Sequence, residues 1–128
     1  SGGGCRTLYL HATNSDITAS VCVGAMATYS SLLDIHVAPH SWMFFPQNLA
    51  QFGDWPDVAL LGGPKNLYIQ YCGDDQLFTK EGMKDADSYI NKRYESGKYQ
   101  SSFYPVKHSF TKDMQEDAFN WLDQVMEK

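Results

Sequence analysis

Two short apolar runs limit the folds open to this chain more than any other feature. The stretches "ITASVCVGAM" (17–26) and "NLYIQYC" (66–72) are rich in β-branched and apolar residues and carry no charge. Continuous runs of this kind are typical of strands in a parallel sheet that is covered on both faces. A third run, "YQSSFYPV" (99–106), predicts another strand. The sequence therefore predicts a sheet of about three strands.

Amphipathic segments flank these strands. Apolar residues within 7–13, entered from glycines and closed by "TNSD", predict a first helix, and the spacing within 80–96 predicts a surface helix. A closing helix is expected over 111–128, capped by Thr111. The apolar residues available for its buried face are Met114, Phe119, Trp121, Leu122 and Val125.

The order of these elements predicts an α/β fold. Helices that alternate with strands place the strands in parallel and cover both faces, as in a doubly wound sheet. A chain of 128 residues, 43% of them hydrophobic, is expected to bury one core, so 1–128 forms a single unit. The segment 29–57 mixes His, Pro, Trp and Phe without a clean period and is predicted as an irregular excursion with short helices, a feature that is usually functional.

Charge and apolar run length exclude several classes of partner. The net charge is −5 and the ten Lys and Arg residues are dispersed, which gives no electrostatic footprint for nucleic acid or an anionic membrane. The apolar runs are shorter than the roughly 20 residues that a membrane helix needs. Three cysteines, Cys5, Cys22 and Cys72, favour buried thiols in a reducing compartment over a disulfide framework, although the compartment itself stays open.

Titratable residues follow two of the predicted strands. Asp74 and Asp75 come directly after 66–72, and His108 follows the strand predicted over 99–106. In open α/β sheets the chemistry lies beyond the carboxyl ends of the strands. An acid followed by a histidine forms two thirds of an acyl-transfer triad, which lacks only a nucleophile earlier in the chain. Ser1 meets that need, because G-x-S-x-G places glycine two residues after the serine, where this chain has Gly3.

The stretches "SGGGCRTLYLHAT", "HSWMFF", "DWPDVALL", "YCGDDQLF" and "YPVKHSFTKDMQEDAFNWLD" together resemble the C-terminal half of an α/β-hydrolase, in the branch of acetyl xylan esterases and dienelactone hydrolases. The resemblance covers nearly the whole chain. It implies that Ser1 is the nucleophile, Asp75 the acid and His108 the general base, with the Gly2 amide as one oxyanion-hole donor. Asp75 is favoured over Asp74 because "QLF" follows it. The Ser1 hydroxyl is expected within about 3.2 Å of a His108 ring nitrogen.

The resemblance also implies a serine esterase that needs no cofactor and acts on a small ester, such as that of an acetyl group on a carbohydrate. The strands that precede the serine in that family are absent from the sequence. We therefore expect the chain to be completed by the N-terminal half of the sheet, in the same polypeptide or as another chain. The 128 residues alone are expected to be inactive. Association with a second copy stays open.

Several alternatives remain at this stage. Ser1 could be an N-terminal nucleophile whose own α-amine is the base, or "SGGG" could be a linker on a non-catalytic α/β binding module. His40 and Trp42 are candidates for lining a substrate pocket. His36 and His40 are spaced four apart, but Pro39 rules out a helix between them, so no metal site is predicted.

Overall fold

A parallel three-stranded sheet organises the fold. The computed structural model describes residues 1–127. Within them lie β1 (Ala19–Val23), β2 (Asn66–Cys72) and β3 (Tyr99–Tyr104), with β2 in the middle and parallel to both neighbours. The predicted α/β architecture is confirmed. β1 and β3 are shorter than predicted, and β1 ends where Gly24 turns the chain with φ 56°.

Helices cover both faces of this sheet. On one face, Leu67, Ile69 and Tyr71 of β2 join the main hydrophobic core, while on the other Tyr68 packs against Trp121. This alternation follows from the period of two along a strand. The helices are α1 (Gly2–Thr13), α2 (Leu49–Phe52), α3 (Trp55–Leu60), α4 (Lys80–Arg93) and α5 (Lys112–Met126), with short 3₁₀ helices at Ser30–Leu32 and Trp42–Phe44.

The glycines at the start of the chain belong to α1. The helix begins at Gly2, not at Thr7 as the apolar spacing predicted. A Cβ on Gly4 would lie 2.4 Å from the Ala25 Cβ and 3.0 Å from the Val23 carbonyl oxygen. Only a residue without a side chain allows α1 to pack so closely on the end of β1, so the glycines serve helix packing here.

The closing helix is placed as predicted, but its buried face differs. The Thr111 hydroxyl accepts a hydrogen bond from the Met114 amide and caps α5. Met114, Ala118 and Trp121 are buried, at the i, i+4, i+7 spacing of one helix face. The assignment of Phe119 to the buried face is wrong, because Phe119 lies off this stripe and is 56% exposed.

The excursion over 29–57 contains short helices, as predicted. It contains the two 3₁₀ helices and α2, and α3 begins within it at Trp55. Asp54 and Asp57 form a capping box at the start of α3. The buried Trp55 donates its indole N–H to the Ala25 carbonyl, 2.7 Å away, and so ties the excursion to the end of β1.

Both edge strands of the sheet, β1 and β3, lack an outer neighbour within residues 1–127, and the edge of β1 is the one beside α1 and Ser1. β1 pairs with β2 alone, so its outer edge has no strand beside it within residues 1–127. Val21 and Val23, on the β1 edge strand, are half-buried.

In the described part of the chain, no helix is both long enough and apolar enough to span a bilayer.

Candidate active site

The turns after β2 and β3 bring an acid and a histidine into contact. His108 Nδ1 and Asp75 Oδ2 lie 2.6 Å apart, the length of a strong charge-assisted hydrogen bond. Parallel neighbouring strands end at the same edge of the sheet, which is why residues 33 positions apart in the chain can meet. With Nδ1 donating to the carboxylate, Nε2 is left to accept a proton from another group.

Asp75 is buried, whereas the neighbouring Asp74 is not. The Asp75 side chain is fully buried, and its second oxygen, Oδ1, accepts a hydrogen bond from the Leu77 amide at 2.9 Å. The Asp74 carboxylate is half-exposed and forms a surface ion pair with Lys80 at 3.1 Å. Of the two carboxylates, Asp75 is the one that orients His108.

Gly24, in the turn after β1, packs against the imidazole ring of His108. A Cβ on Gly24 would lie 3.2 Å from His108 Cε1, closer than most side-chain contacts. Gly24 also adopts a positive φ, which L side chains rarely do. Cys72, at the end of β2, donates its thiol to the Ser109 carbonyl and ties the histidine turn to the sheet.

Ser1 lies beside this acid–histidine pair. Its backbone nitrogen is 3.4 Å from His108 Nε2. This is the contact between the two residues, and the predicted bond from the Ser1 hydroxyl stays a prediction. Ser1 is also the N-cap of α1, and the Cys5 amide donates to its carbonyl at 2.9 Å. The first amides of a helix have no partner within the helix, so the Gly2 N–H is available to an anion at this point.

Two cavities meet at Ser1. One, of about 450 Å³, runs along the open edge of β1 between the first turns of α1 and the histidine turn, and its walls include Val21, Val23, His108 and Phe110. The other, of about 230 Å³, lies between Gly2 and the excursion, and its walls include Cys5, Pro39, His40, Ser41, Met43 and Phe44. A group bound to Ser1 can therefore extend to either side.

The two predicted pocket residues have different positions. His40 lines the smaller cavity. Its Nε2 contacts the Leu77 carbonyl oxygen at 2.7 Å, and its ring stacks on Phe44. Trp42 is 82% exposed and is not among the residues that line these two cavities, so the structure does not bring it to the site.

The cysteines are buried free thiols. Cys5 lies in the wall of the smaller cavity, and burial raises its pKa to about 11. A thiol with a raised pKa carries little thiolate, so Cys5 is a poor nucleophile beside Ser1. Among residues 1–127, no group of three or more His, Cys, Asp and Glu side chains is placed to hold a metal ion.

Comparison with solved structures shows a similar fold in another protein. The crystal structure of TT1662 from Thermus thermophilus superposes with a TM-score of 0.67 at 13% sequence identity, over 98% of this chain and 51% of that chain. The chain thus spans about half the length of that structure, and at this identity the likeness concerns the fold alone. No family model matches the chain, and no curated protein matches it.

Three features of the site were not predicted from the sequence. They are the contact between Gly24 and the His108 ring, the second hydrogen bond to Asp75 from Leu77, and the link from Leu77 to His40. A glycine that ends an apolar strand, as Gly24 ends "ASVCV", is a signal for a tight turn. An aspartate commonly accepts from the amide two residues further on, as Asp75 does from Leu77, whereas no residue type marks the Leu77 carbonyl as the partner of His40.

Proposed function

We propose that this chain carries the catalytic residues of a serine hydrolase that acts on small carboxylic esters through an acyl-enzyme. The observation that supports this most strongly is the hydrogen bond between the buried Asp75 and the partly exposed His108, whose other ring nitrogen lies 3.4 Å from the Ser1 backbone nitrogen. A carboxylate that accepts one imidazole N–H fixes the tautomer in which the other nitrogen is a base. An adjacent serine at the start of a helix is the nucleophile that such a base activates.

Each residue has one role in this proposal. The Ser1 hydroxyl oxygen attacks the ester carbonyl carbon while its proton passes to His108 Nε2, and Asp75 stabilises the imidazolium that forms. The Gly2 amide donates to the oxyanion, a contribution on the order of 3 kcal/mol for one donor in comparable sites. Collapse of this intermediate breaks the bond to the leaving alcohol, which takes the proton from His108. Water activated by the same imidazole then releases the acid and restores Ser1.

The cavities favour a small ester. The smaller one, of about 230 Å³, has Pro39, Met43 and Phe44 in its walls and suits a short acyl or apolar group. The larger one, of about 450 Å³, runs along the edge of β1, where the added strand proposed below would fill part of it, so a polar alcohol such as a sugar hydroxyl is assigned only to its end beside Ser1, His108 and Ser109. The choice of an acetyl group on a carbohydrate comes from the resemblance to acetyl xylan esterases.

The proposal includes a strand that pairs with the open edge of β1. Ser1 stands at the carboxyl end of this edge, so a parallel strand laid against β1 would end beside it. An unpaired edge leaves backbone N–H and C=O groups without partners, and pairing satisfies them. The similar structure is about twice as long as this chain, which supports a larger sheet. The added strand is expected from the same polypeptide or from a second chain.

Ester hydrolysis tests the proposal. The polypeptide that the gene encodes, with whatever residues lie upstream of Ser1, is called here the parent polypeptide. We expect it to hydrolyse an aryl acetate with burst kinetics, since the acyl-enzyme forms before it is hydrolysed. The variants Ser1→Ala and His108→Ala should each lose several orders of magnitude in kcat, because nucleophile and base act as a unit.

The 128-residue chain provides the matched comparison. Without a strand on the β1 edge, it should hydrolyse the same ester hardly faster than buffer. Activity that survives His108→Ala would overturn the triad. Activity in the 128-residue chain that depends on a free α-amine at Ser1 would instead support an N-terminal nucleophile, and a parent polypeptide without any esterase activity would favour a binding module.

A further inference from the structure

The carboxylate of Asp75 is held at both of its oxygens. Oδ2 accepts from His108 Nδ1, and Oδ1 accepts from the Leu77 amide at 2.9 Å. Leu77 lies in the turn between β2 and α4, which has no regular secondary structure to keep it in place. The direction of the carboxylate therefore depends on the contacts that fix the backbone of Leu77.

A residue from the distant excursion holds the carbonyl of Leu77, which lies in the next peptide group along the chain. His40 Nε2 lies 2.7 Å from the Leu77 carbonyl oxygen. A carbonyl can only accept, so the imidazole carries its proton on Nε2 and donates. Burial lowers the pKa of His40, which keeps the ring neutral, and Asp75, His36 and His108 are the titratable groups that act on it.

The His40 ring is itself immobilised by aromatic packing. Its centroid lies 4.8 Å from that of Phe44 and 4.8 Å from that of Phe78, and Phe44 is fully buried. The ring also lines the smaller cavity beside Ser1. One side chain thus connects the wall of the substrate cavity, through Leu77, with the acid that orients His108.

We infer that His40 is a positioning residue of the proposed triad: by binding the Leu77 carbonyl it fixes the Leu77 backbone, whose amide holds Asp75 in line with His108. This inference rests on the proposed function for its effect on rate, but the arrangement of the hydrogen bonds can be measured independently. A neutral histidine in this place sets the direction of the carboxylate without touching the reacting atoms.

Two substitutions of His40 distinguish the effect of its N–H donor from the effect of its aromatic ring. His40→Phe keeps the stacking on Phe44 and Phe78 but removes the donor. His40→Gln keeps a donor at about the position of Nε2 but removes the aromatic ring. The control His36→Phe changes the other histidine of the excursion, whose Nδ1 has no hydrogen-bond partner within residues 1–127.

Proton NMR of the parent polypeptide reports directly on the hydrogen bond between His108 and Asp75. The short bond to Asp75 should give the His108 Nδ1 proton a low-field signal. We expect His40→Phe to shift or broaden this signal, and His40→Gln and His36→Phe to leave it in place. Thermal unfolding of each variant shows whether it is folded. An unshifted signal in folded His40→Phe, or an equal loss in His40→Gln, would overturn the inference.

Kinetics on the aryl acetate add a second readout. His40→Phe should lower kcat about tenfold, the effect of one hydrogen bond, and should leave KM within about twofold because the cavity wall stays filled. His40→Gln should restore most of kcat. A fall in kcat shared by both variants would assign the effect to the ring and contradict the inference. If the wild type has no esterase activity, the proposed function fails, and the NMR comparison still decides the role of His40.

Discussion

The buried His11 makes the stability of this fold depend on pH. It lies in α1, is fully buried, and both of its ring nitrogens are hydrogen-bonded. Nδ1 lies 3.0 Å from the Ser20 hydroxyl and Nε2 lies 2.8 Å from the Tyr94 hydroxyl. Tyr94 donates its own proton to the Lys65 carbonyl, so Nε2 must donate to Tyr94 and Nδ1 must accept from Ser20. This arrangement fits the neutral ring and has no place for a second proton.

The magnitude follows from the pKa of this ring. Burial, and secondly the Lys65 ammonium, lower the pKa of His11 from 6.5 to about 4. Between pH 6.5 and pH 4, His11 is therefore protonated in the unfolded chain but not in the folded one. The contribution of His11 to the free energy of unfolding is fully present above pH 6.5 and is lost as the pH falls towards 4. At 1.36 kcal/mol per unit of pKa, the free energy of unfolding falls by roughly 2–3 kcal/mol as the pH drops towards 4.

Urea denaturation between pH 4 and pH 8 measures this fall. The free energy of unfolding is measured for the parent polypeptide and for His11→Gln, whose glutamine does not titrate between pH 4 and pH 8. Because both proteins share all other titratable groups, the contributions of those groups cancel in the difference. The difference should be flat above pH 6.5 and drop by roughly 2–3 kcal/mol towards pH 4. A third variant, Lys65→Met, should show a smaller drop because it removes the cation. A flat difference, or one that rises as the pH falls, would refute the assignment of His11 as a buried neutral ring.

Two glycine substitutions test the packing around the site, with Gly3→Ala as control because a Cβ there has nothing within 4 Å. In a urea titration, Gly4→Ala should lower the free energy of unfolding by about 1–3 kcal/mol, because the new methyl would lie 2.4 Å from Ala25 and 3.0 Å from the Val23 backbone. Equal stability of the Gly4→Ala and Gly3→Ala variants would contradict this close packing. Gly24→Ala should cost about 1–3 kcal/mol from the positive φ and should also reduce aryl acetate hydrolysis, since its methyl presses on His108 Cε1. A variant that is destabilised but fully active would show that Gly24 serves the turn alone.

The parts of the fold that repeat a local pattern could be predicted from the sequence. The runs at 66–72 and 99–106 contain β2 and β3, although β3 ends two residues earlier than predicted. Thr111 caps α5, as its position before an amphipathic run suggested. The proximity of Asp75 and His108 was also predictable, because consecutive parallel strands end at one edge of the sheet.

Features set by tertiary packing could not be predicted. The start of α1 at Gly2 depends on the approach of Gly4 to Ala25, which no local propensity encodes. Phe119 was assigned to the core by hydrophobicity, but the stripe of α5 that faces the sheet passes through Ala118. Short helices were predicted for the excursion, but α3 was not located, although Asp54 and Asp57 form its capping box, because it lies in a segment without apolar periodicity.

The most direct test of the triad compares the two adjacent aspartates. Asp75 is buried against His108, while Asp74 is half-exposed and paired with Lys80, so Asp75→Asn and Asp74→Asn make the same chemical change in different surroundings. In the parent polypeptide, kcat for aryl acetate hydrolysis should fall on the order of 1000-fold or more for Asp75→Asn, which loses the tautomer that makes Nε2 a base. It should stay within about twofold for Asp74→Asn, since surface ion pairs contribute little. Equal losses in both variants, or a loss in Asp74→Asn alone, would contradict the placement of the triad.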